Sequence, residues 1–227
     1  ILPAVRHLAN CLRRWSSLAT VVKTGEPAER SPSIRGAQAD MDAFIAAMNT
    51  FTAPVVDPVI GRLDLADVTH VLDIGGASGN WTAGFLRALP RARATLFDLP
   101  EVIPMARDRL RRLTLMDRVN LVAGDYNSDA LPAGADLAWL SAIVHQNSRE
   151  QNRGLYAKIY AALAQGGSLV IRDMVLEASR VSPPAGALFA VNMLACTDAG
   201  DTFTWNEFQE DLAHAGFTDI TLLAQDQ

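Results

Sequence analysis

Short apolar runs alternate with longer amphipathic stretches from Val68 onward, and this alternation constrains the fold more than any other feature of the sequence. The runs HVLDIG, RATLFD, RVNLVAG, ADLAWLSAIV and GSLVIRDMVL are predicted to be strands. The stretches NWTAGFLRAL, EVIPMARDRLRRL and SREQNRGLYAKIYAALA are predicted to be helices. Such alternation is typical of a parallel sheet with helices on both faces. We therefore expect an α/β fold with a doubly wound, mostly parallel sheet.

Local side-chain chemistry predicts where two of the later helices begin and end. The capping-box spacing, in which a Ser or Thr and a Gln or Glu satisfy the first free N–H groups, occurs at Ser148 with Gln151 and at Thr204 with Glu207. Glycine commonly ends a helix because it tolerates the left-handed conformation. We expect these two helices to stop at Gly166 with Gly167 and at Gly216.

A glycine-rich turn follows the first predicted strand, at Gly75, Gly76 and Gly79. Glycine permits positive φ and has no Cβ, so a ligand can lie against bare backbone there. The same glycines would also suit a tight strand-to-helix turn that binds nothing. Asp98 ends the second strand about 20 residues later, where a carboxylate can accept hydrogen bonds from two ribose hydroxyls. Together these features indicate a nucleoside ligand.

The charge of Asp73 separates the two common cofactors that contain such a nucleoside. NAD favours the pattern G-x-G-x-x-G and a pyrophosphate at the helix N-terminus, whereas this turn is G-G-A-S-G. A carboxylate just before the turn would repel a pyrophosphate but would attract the ammonium and sulfonium groups of S-adenosylmethionine. Asp73 therefore favours S-adenosylmethionine. Asp125 and Tyr126, after the third strand, suit the adenine, although Asp125 alone suits a turn or a helix cap equally well.

Seven motifs together carry a resemblance over nearly the whole chain: FIAAM, VLDIGGASG, FDLP, AGDYN, WLSAIVHQNS, GGSLVIRDMVLE and NMLACTDAGDTFTWNEFQEDLAHAGF. In this order and spacing they resemble the class I S-adenosylmethionine-dependent methyltransferases. More narrowly, they resemble the O-methyltransferase family that includes the caffeic acid, acetylserotonin and bacterial polyketide enzymes. The resemblance implies a Rossmann-like catalytic domain, a linker helix before it and an amino-terminal winged-helix domain that forms a homodimer.

The resemblance also implies a division of the chain. Residues 1–35 resemble only the tail of the dimerisation domain, residues 36–60 the linker helix and residues 61–227 the catalytic domain. Since the sequence opens on Ile1, we expect a piece of a longer protein, and we expect that longer protein to be a homodimer. The segment FTDITLLAQDQ is predicted to be a strand, and the final strand of the family is missing from the sequence.

Site residues follow from the resemblance, position by position. The cofactor-binding residues implied in this way are Gly75, Asp98, Leu99, Gly124, Asp125, Tyr126 and Ser141, to which the turn adds Asp73, Gly76 and Gly79. The acceptor pocket is predicted from Phe44, Met48, Phe189, Asn192 and Met193. Phe44 and Met48 belong to an apolar helical stripe that core packing would explain equally well.

His145 matches the catalytic histidine of the family, and Asp173 matches the acid that hydrogen-bonds it. Methyl transfer requires alignment of the acceptor oxygen with the methyl carbon and removal of the acceptor proton. We expect His145 to be the general base and Asp173 to fix its tautomer. Read from position alone, His145 could instead be a structural residue at a strand end and Asp173 a solvated carboxylate.

Two departures from the family pattern support an alternative. The histidine is followed by Gln146 and Asn147 where the family commonly has an acid or Asn and then Trp, and Thr202 stands where many relatives carry a second acid. A thinner network around the histidine would fit a cofactor-binding homologue without methyl transfer, in an accessory or regulatory role. A nicotinamide-dependent dehydrogenase is a third, weaker hypothesis.

Composition excludes several other classes of function. The chain has 20 Lys and Arg against 25 Asp and Glu, a formal charge of -5, and no long basic run, so we expect no nucleic-acid partner. It has no apolar run near the roughly 20 residues that cross a membrane, and no secretory signal. Cys11 and Cys196 lack metal or disulfide spacing and are predicted to be reduced thiols. We therefore expect a cytoplasmic protein without membrane contact or bound metal. The resemblance, not the composition, implies that its partner is a small hydroxylated molecule.

Overall fold

The protein, described by a computed structural model over residues 1–29 and 31–224, is built on a five-stranded parallel sheet. Its strands are β1 (His70–Ile74), β2 (Arg93–Asp98), β3 (Val119–Ala123), β4 (Ala135–Ser141) and β5 (Leu163–Arg172). Their order is β3-β2-β1-β4-β5, and every neighbouring pair is parallel. The predicted α/β, doubly wound architecture is confirmed.

Helices precede the sheet and connect its strands. Those before the sheet are α1 (Leu2–Trp15), α2 (Leu18–Thr24), α3 (Ala37–Thr52) and α4 (Val56–Ile60). Those between and after the strands are α5 (Asn80–Ala88), α6 (Ile103–Arg112), α7 (Arg149–Ala162), α8 (Pro184–Cys196) and α9 (Trp205–His214). Two short strands, β6 (Val175–Leu176) and β7 (Phe203–Thr204), form a separate parallel pair. The amino-terminal helices are not isolated, because α1 packs along α3 and also contacts α8.

Both faces of the sheet are buried, which is why its strands are nearly continuous apolar runs. Alternate residues of a strand project to opposite faces. Trp139 of β4 packs against Trp81 and Phe85 of α5, with ring centroids 4.6 and 5.2 Å away. Its neighbour Leu140 belongs to the cluster on the other face, which includes Tyr156 of α7.

The strand order places a crevice at the carboxyl ends of the central strands. The chain runs outward from β1 to β2 and β3, then returns to place β4 on the other side of β1. Loops after β1 and β4 therefore leave the sheet in opposite directions, and ligands of open α/β sheets bind where this reversal occurs.

Two details of the predicted elements are wrong. Helix α7 ends at Ala162 rather than at Gly166, because Leu163 already pairs with Ala135 and Gly166, at φ +79°, lies in an irregular stretch of β5. Helix α9, by contrast, ends at His214 with Gly216 at φ +104°, as predicted. The segment from 217 to 224 forms no strand, since it has no ladder partner in the described part of the chain, and residues 225–227 of the predicted strand lie outside it.

The capping boxes predicted at Ser148 and Thr204 are both formed. No helix within residues 1–29 and 31–224 is long and apolar enough to cross a membrane.

Candidate active site

The glycine turn between β1 and α5 is fixed by its neighbours. Gly75 has φ +68°, and its N–H donates to the carbonyl of Phe97 at 2.8 Å. A Cβ on Gly75 would lie 2.4 Å from Cδ1 of Ile143, and a Cβ on Gly76 would lie 2.6 Å from Cγ of Leu96. The positive φ of Gly75 and the closeness of Leu96 to Gly76 therefore favour glycine at both positions without any ligand.

Gly79 completes the turn as the residue that precedes α5. It has φ +78°, in the left-handed region, and its N–H donates to the carbonyl of Gly76 at 2.8 Å. A Cβ there would come within 3.2 Å of Leu110 on α6. The turn thus packs closely against both β2 and α6.

Asp73 lies behind the turn rather than in the open crevice. Asp73 is 1% exposed. Its Oδ2 accepts two hydrogen bonds from Thr82, one from the backbone N–H at 3.0 Å and one from the hydroxyl at 2.5 Å. Burial raises the pKa of Asp73 to about 7. The attraction expected between Asp73 and a cationic ligand therefore applies only to the fraction that is ionised at a given pH.

Asp98 braces the glycine turn from the end of β2. Its Oδ2 accepts from the N–H of Ala77 at 2.7 Å, and its Oδ1 accepts from the N–H of Leu99 at 2.8 Å. Ala77 has φ +49°, so Asp98 stabilises an otherwise unfavourable backbone conformation in the turn. Burial raises the pKa of Asp98. Each carboxylate oxygen has a second lone pair for a further donor.

The loop after β3 brings the third acid to the same edge of the sheet. The N–H of Gly124 donates to the carbonyl of Asp98 at 2.9 Å, and Oδ1 of Asp125 accepts from the N–H of Asn127 at 2.8 Å. Asp125 is therefore a turn residue, which does not prevent a second role. Burial, then the charges of Asp125 and Asp98, raise the pKa of Tyr126 to about 12. The predicted adenine and ribose residues thus lie close together.

Ser141, the last residue of β4, has a hydroxyl that is not hydrogen-bonded within the described part of the chain. Its Oγ is also enclosed by the protein. A buried hydroxyl without a partner is unfavourable by about 1–3 kcal/mol. A polar ligand group at this end of β4 would satisfy it, so the residues present fit a polar cofactor.

His145 and Asp173 form a hydrogen-bonded pair. His145 lies in a 3₁₀ turn (Val144–Gln146) after β4, and Asp173 directly follows β5. Nδ1 of His145 is 2.7 Å from Oδ1 of Asp173, and the two side chains are 12% and 2% exposed. Asp173 also accepts from the backbone N–H groups of Met174 at 2.8 Å and of His145 at 3.4 Å. Because the carboxylate can only accept, Nδ1 carries the proton and Nε2 presents a lone pair.

Of the predicted acceptor residues, Phe189 contacts this histidine, and the other four lie on the same helix α8 or on α3. The Phe189 ring of α8 meets the His145 ring edge-on, with centroids 4.8 Å apart. Asn192 follows on α8, and its Oδ1 accepts from Nε1 of Trp15 at 2.8 Å. Phe44 of α3 contacts His7 of α1, with ring centroids 5.2 Å apart. Met48 on α3 is half-buried and Met193 on α8 is buried.

The residues that depart from the family pattern support the histidine turn. Nε2 of Gln146 donates to the carbonyl of Ala142 at 2.9 Å. Asn147 is buried and donates to Asn152 at 3.0 Å, and Asn152 donates to the carbonyl of Val144 at 3.0 Å. These bonds support the backbone of the turn, and none of them reaches the imidazole ring.

Thr202 is the second departure, and it is also buried. Its hydroxyl donates to the carbonyl of Gly186 at 3.4 Å, at the start of α8. Asp201 beside it pairs with Arg180 at 3.1 Å. Thr202 therefore attaches its loop to α8, and Asp173 supplies the hydrogen bond to the histidine ring.

Three residues that sequence reasoning missed take part in this arrangement. The hydroxyl of Thr82 donates a hydrogen bond to Asp73, and the indole N–H of Trp15 donates one to Asn192. Ile143 occupies the space that a side chain on Gly75 would need. Thr82, three residues after the last glycine of the turn, could have been noticed as a donor near the start of α5. Nothing local indicates the partnership of Trp15, because it spans 177 residues of sequence.

The doubly wound sheet, glycine turn and acids define a protein with the methyltransferase fold. The chain belongs to the O-methyltransferase domain family, whose model matches residues 30–218. This assignment confirms the resemblance found in the sequence and goes against the nicotinamide hypothesis.

Individual relatives agree with the family. The chain is 35% identical over 214 residues to the tetracenomycin polyketide synthesis 8-O-methyl transferase TcmO of Streptomyces glaucescens, covering 92% of this chain and 63% of that protein. It is 30% identical over 179 residues to the 3-hydroxy-5-methyl-1-naphthoate 3-O-methyltransferase of Streptomyces sahachiroi, covering 79% and 52%. The crystal structure of human N-acetylserotonin methyltransferase in complex with S-adenosylmethionine matches with a TM-score of 0.80 at 25% identity, covering 91% and 61%. The chain spans less than two thirds of each of these proteins.

Proposed function

We propose that this protein transfers a methyl group from S-adenosylmethionine to a hydroxyl of a small, aromatic secondary metabolite. The observation that carries the proposal is the 2.7 Å hydrogen bond between Nδ1 of His145 and Asp173, at the edge of the sheet that holds the glycine turn. Relatives named as methyltransferases of a polyketide and of a hydroxynaphthoate support an aromatic hydroxyl as the acceptor.

The proposed cofactor site is formed by residues at the carboxyl ends of the four strands β1 to β4. The turn at Gly75, Gly76 and Gly79 lies beside Asp98 and Leu99 for the ribose, and Gly124, Asp125 and Tyr126 lie beside these for the adenine. Asp73 acts through its charge from behind the turn, and the unpartnered Oγ of Ser141 supplies a polar contact. When bound, S-adenosylmethionine supplies a methyl group on a positively charged sulfur.

His145 is the proposed general base. With Nδ1–H hydrogen-bonded to Asp173, the lone pair of Nε2 would take the proton of the acceptor hydroxyl. The methyl group would come from the cofactor, whose sulfur would keep the electrons of the broken methyl–sulfur bond. The Asp173 carboxylate then stabilises the imidazolium that forms. The edge contact with Phe189 fixes the orientation of the ring, so that less freedom is lost when the acceptor binds.

Phe44, Met48, Phe189, Asn192 and Met193 are the proposed acceptor pocket. Phe and Met side chains suit a flat apolar molecule, and Asn192 supplies a polar contact. The helices that carry these residues, α3 and α8, both contact α1. The amino-terminal segment therefore contributes to the shape of the pocket.

The proposal is tested with isotopically labelled S-adenosylmethionine and a panel of phenols, naphthols and hydroxyanthraquinones. We expect a methylated product whose formation is lost in His145→Ala, while calorimetry shows unchanged binding of S-adenosylmethionine. His214→Ala is the matched control, because His214 is exposed at the end of α9. Unchanged turnover in His145→Ala would exclude the base. Tight cofactor binding without product from any acceptor would favour the accessory homologue instead.

We also propose that the full-length protein is a homodimer. One side of α1 presents apolar residues to solvent, namely Leu2, Val5, Leu8 and Leu12, which are 54–71% exposed. An exposed apolar helix face is a common interaction surface. Light scattering on the full-length protein should give twice the monomer mass, and Leu8→Lys with Leu12→Lys should reduce it.

A further inference from the structure

The two cysteines of the chain come from opposite ends of the sequence and lie side by side, Cys11 on α1 and Cys196 at the end of α8. One turn after Cys11, the indole N–H of Trp15 donates to Oδ1 of Asn192 at 2.8 Å. Asn192 lies one turn before Cys196, whose carbonyl accepts from the guanidinium of Arg14 at 3.4 Å. These contacts set Cys11 opposite Cys196, and the two thiols hydrogen-bond to each other.

Both cysteines are free thiols and only partly buried, so a small reagent can reach them. Nε2 of His7 lies 3.6 Å from Sγ of Cys11. Burial and then the charge of Arg14 lower the pKa of His7, so its ring is neutral at neutral pH and can accept a proton. The hydrogen bond to Cys196 and then burial raise the pKa of Cys11, so this thiol keeps its proton until a base takes it.

We propose that Cys11 and Cys196 are a reversible redox pair, which an external disulfide of the glutathione class converts into a disulfide between α1 and α8. This inference goes beyond methyl transfer, in which neither thiol takes part. Helix α8 also carries Phe189, which contacts His145. Oxidation would therefore attach the amino-terminal helix covalently to the helix that lies beside the proposed base.

The oxidation is a thiol–disulfide exchange in two steps. The thiolate of Cys196 attacks one sulfur of the external disulfide, forms a mixed disulfide and displaces the first small thiolate. Cys11 then loses its proton to Nε2 of His7 and attacks Sγ of Cys196, and the second small thiolate leaves. The two cysteines lose two hydrogen atoms and two electrons in total, and the external disulfide becomes two thiols. Cys11 acts second because its raised pKa makes it the weaker source of thiolate.

Space-filling is the competing explanation, because a buried cysteine often packs as a small apolar side chain. It predicts that each thiol reacts independently with an external disulfide and stops at a mixed disulfide. A redox pair predicts that the second thiol displaces the first adduct. No three His, Cys, Asp or Glu side chains in the described part of the chain are placed to hold a metal ion, so a metal site does not explain the pair.

The test incubates the full chain with oxidised glutathione, blocks the remaining thiols with iodoacetamide and maps the peptides by mass spectrometry. We expect the linked peptides of Cys11 and Cys196 as the main product. The oxidised protein should unfold roughly 5–10 °C above the reduced protein, and dithiothreitol should reverse both effects.

Two controls separate the pair from general thiol reactivity. Cys11→Ser should stop at a glutathione adduct of Cys196, without a link and without the rise in unfolding temperature. In urea that unfolds the wild type, the link should form about tenfold more slowly or less, because helix packing brings the two sulfurs together.

Glutathione adducts on both cysteines of the wild type without a link, or a link that forms equally fast in urea, would overturn the inference. A linked protein that unfolds at the same or a lower temperature would also contradict it, since the disulfide would then distort the packing of α1 on α8. None of these measurements depends on methyl transfer. Failure of the proposed function would appear separately, as absence of a methylated product in the wild type.

Discussion

The carboxylate of Asp73 accepts two hydrogen bonds from Thr82, one from the backbone N–H at 3.0 Å and one from the hydroxyl at 2.5 Å. Both bonds end on the same oxygen, so the end of β1 is joined to the first turn of α5 across the glycine turn. Burial raises the pKa of this carboxyl to about 7. Its charge therefore changes within the range of pH in which enzymes are assayed, and two predictions follow from this.

The first concerns stability. A carboxyl whose pKa is about 7 in the folded state and near 4 in the unfolded state favours folding most at low pH, and this contribution is lost as pH rises through 7. Asp73→Asn keeps an oxygen that can accept both bonds from Thr82 but does not ionise. Relative to this variant, the wild type should lose on the order of 4 kcal/mol of unfolding free energy between pH 4 and pH 8. Denaturant unfolding at several pH values measures the difference, and a constant difference would contradict the raised pKa.

The second concerns the affinity for S-adenosylmethionine. If the ionised Asp73 attracts the cationic cofactor, binding should tighten from pH 6 to pH 8 as the carboxyl loses its proton, up to about tenfold. Asp73→Asn should remove most of this pH dependence. Calorimetry of the wild type and the variant over this range provides the test. Parallel pH profiles would show that Asp73 supports the turn but does not act on the cofactor by its charge.

Gly76→Ala should destabilise the protein by about 1–3 kcal/mol. Its Cβ would lie 2.6 Å from Cγ of Leu96 and 2.9 Å from Oδ2 of Asp73, so the turn would have to move. Gly154→Ala is the matched control, because Gly154 is exposed within α7 and a Cβ there meets nothing within 4 Å. That control should gain up to about 1 kcal/mol from helix propensity. Thermal unfolding of both variants distinguishes the two effects.

Ser141→Ala should separate stability from cofactor binding. Removing an enclosed hydroxyl that has no partner in the described part of the chain should leave stability unchanged or raise it by about 1 kcal/mol. If the hydroxyl meets the cofactor, the affinity for S-adenosylmethionine should fall about fivefold. Ser168→Ala, at an exposed position of β5, controls for the substitution itself. Unchanged affinity would remove Ser141 from the proposed cofactor site.

Asp173→Asn should reduce turnover by about a hundredfold or more and leave cofactor affinity unchanged. The amide retains the shape of the side chain, but its NH2 group can donate to Nδ1 of His145 and so place the ring proton on Nε2, where it blocks the base. Asp57→Asn, which alters an exposed carboxylate paired with Arg87, is the control and should keep full activity. Steady-state kinetics of methyl transfer, measured with a phenol that the wild type methylates, decides between these outcomes.

The fold was predictable because the strands of a doubly buried parallel sheet are apolar along their whole length. The closeness of His145 and Asp173 was predictable for a related reason, since both follow strands whose carboxyl ends meet at one edge. The end of α7 was not predictable from Gly166, because the pairing of Leu163 with Ala135 overrides the local glycine signal. Tertiary contacts decided that boundary.

The identities of the proposed cofactor-binding residues were predictable, but their burial and packing were not. Gly75 and Gly76 follow a recognisable pattern, yet the positive φ of Gly75 and the closeness of Leu96 to Gly76 already favour glycine there without a ligand. Asp73 was predicted as a charge, and its burial depends on how β1, β2 and α5 pack together, which no local pattern reveals. The same holds for the contact of Trp15 with Asn192 across 177 residues.

The match to the family begins at residue 30, and Trp15 lies upstream of it. Two side chains of α1, Trp15 and Arg14, nevertheless hydrogen-bond to α8, which is inside the matched segment. A protein shortened to the matched segment would keep every proposed cofactor residue but would lose both of these contacts to α8.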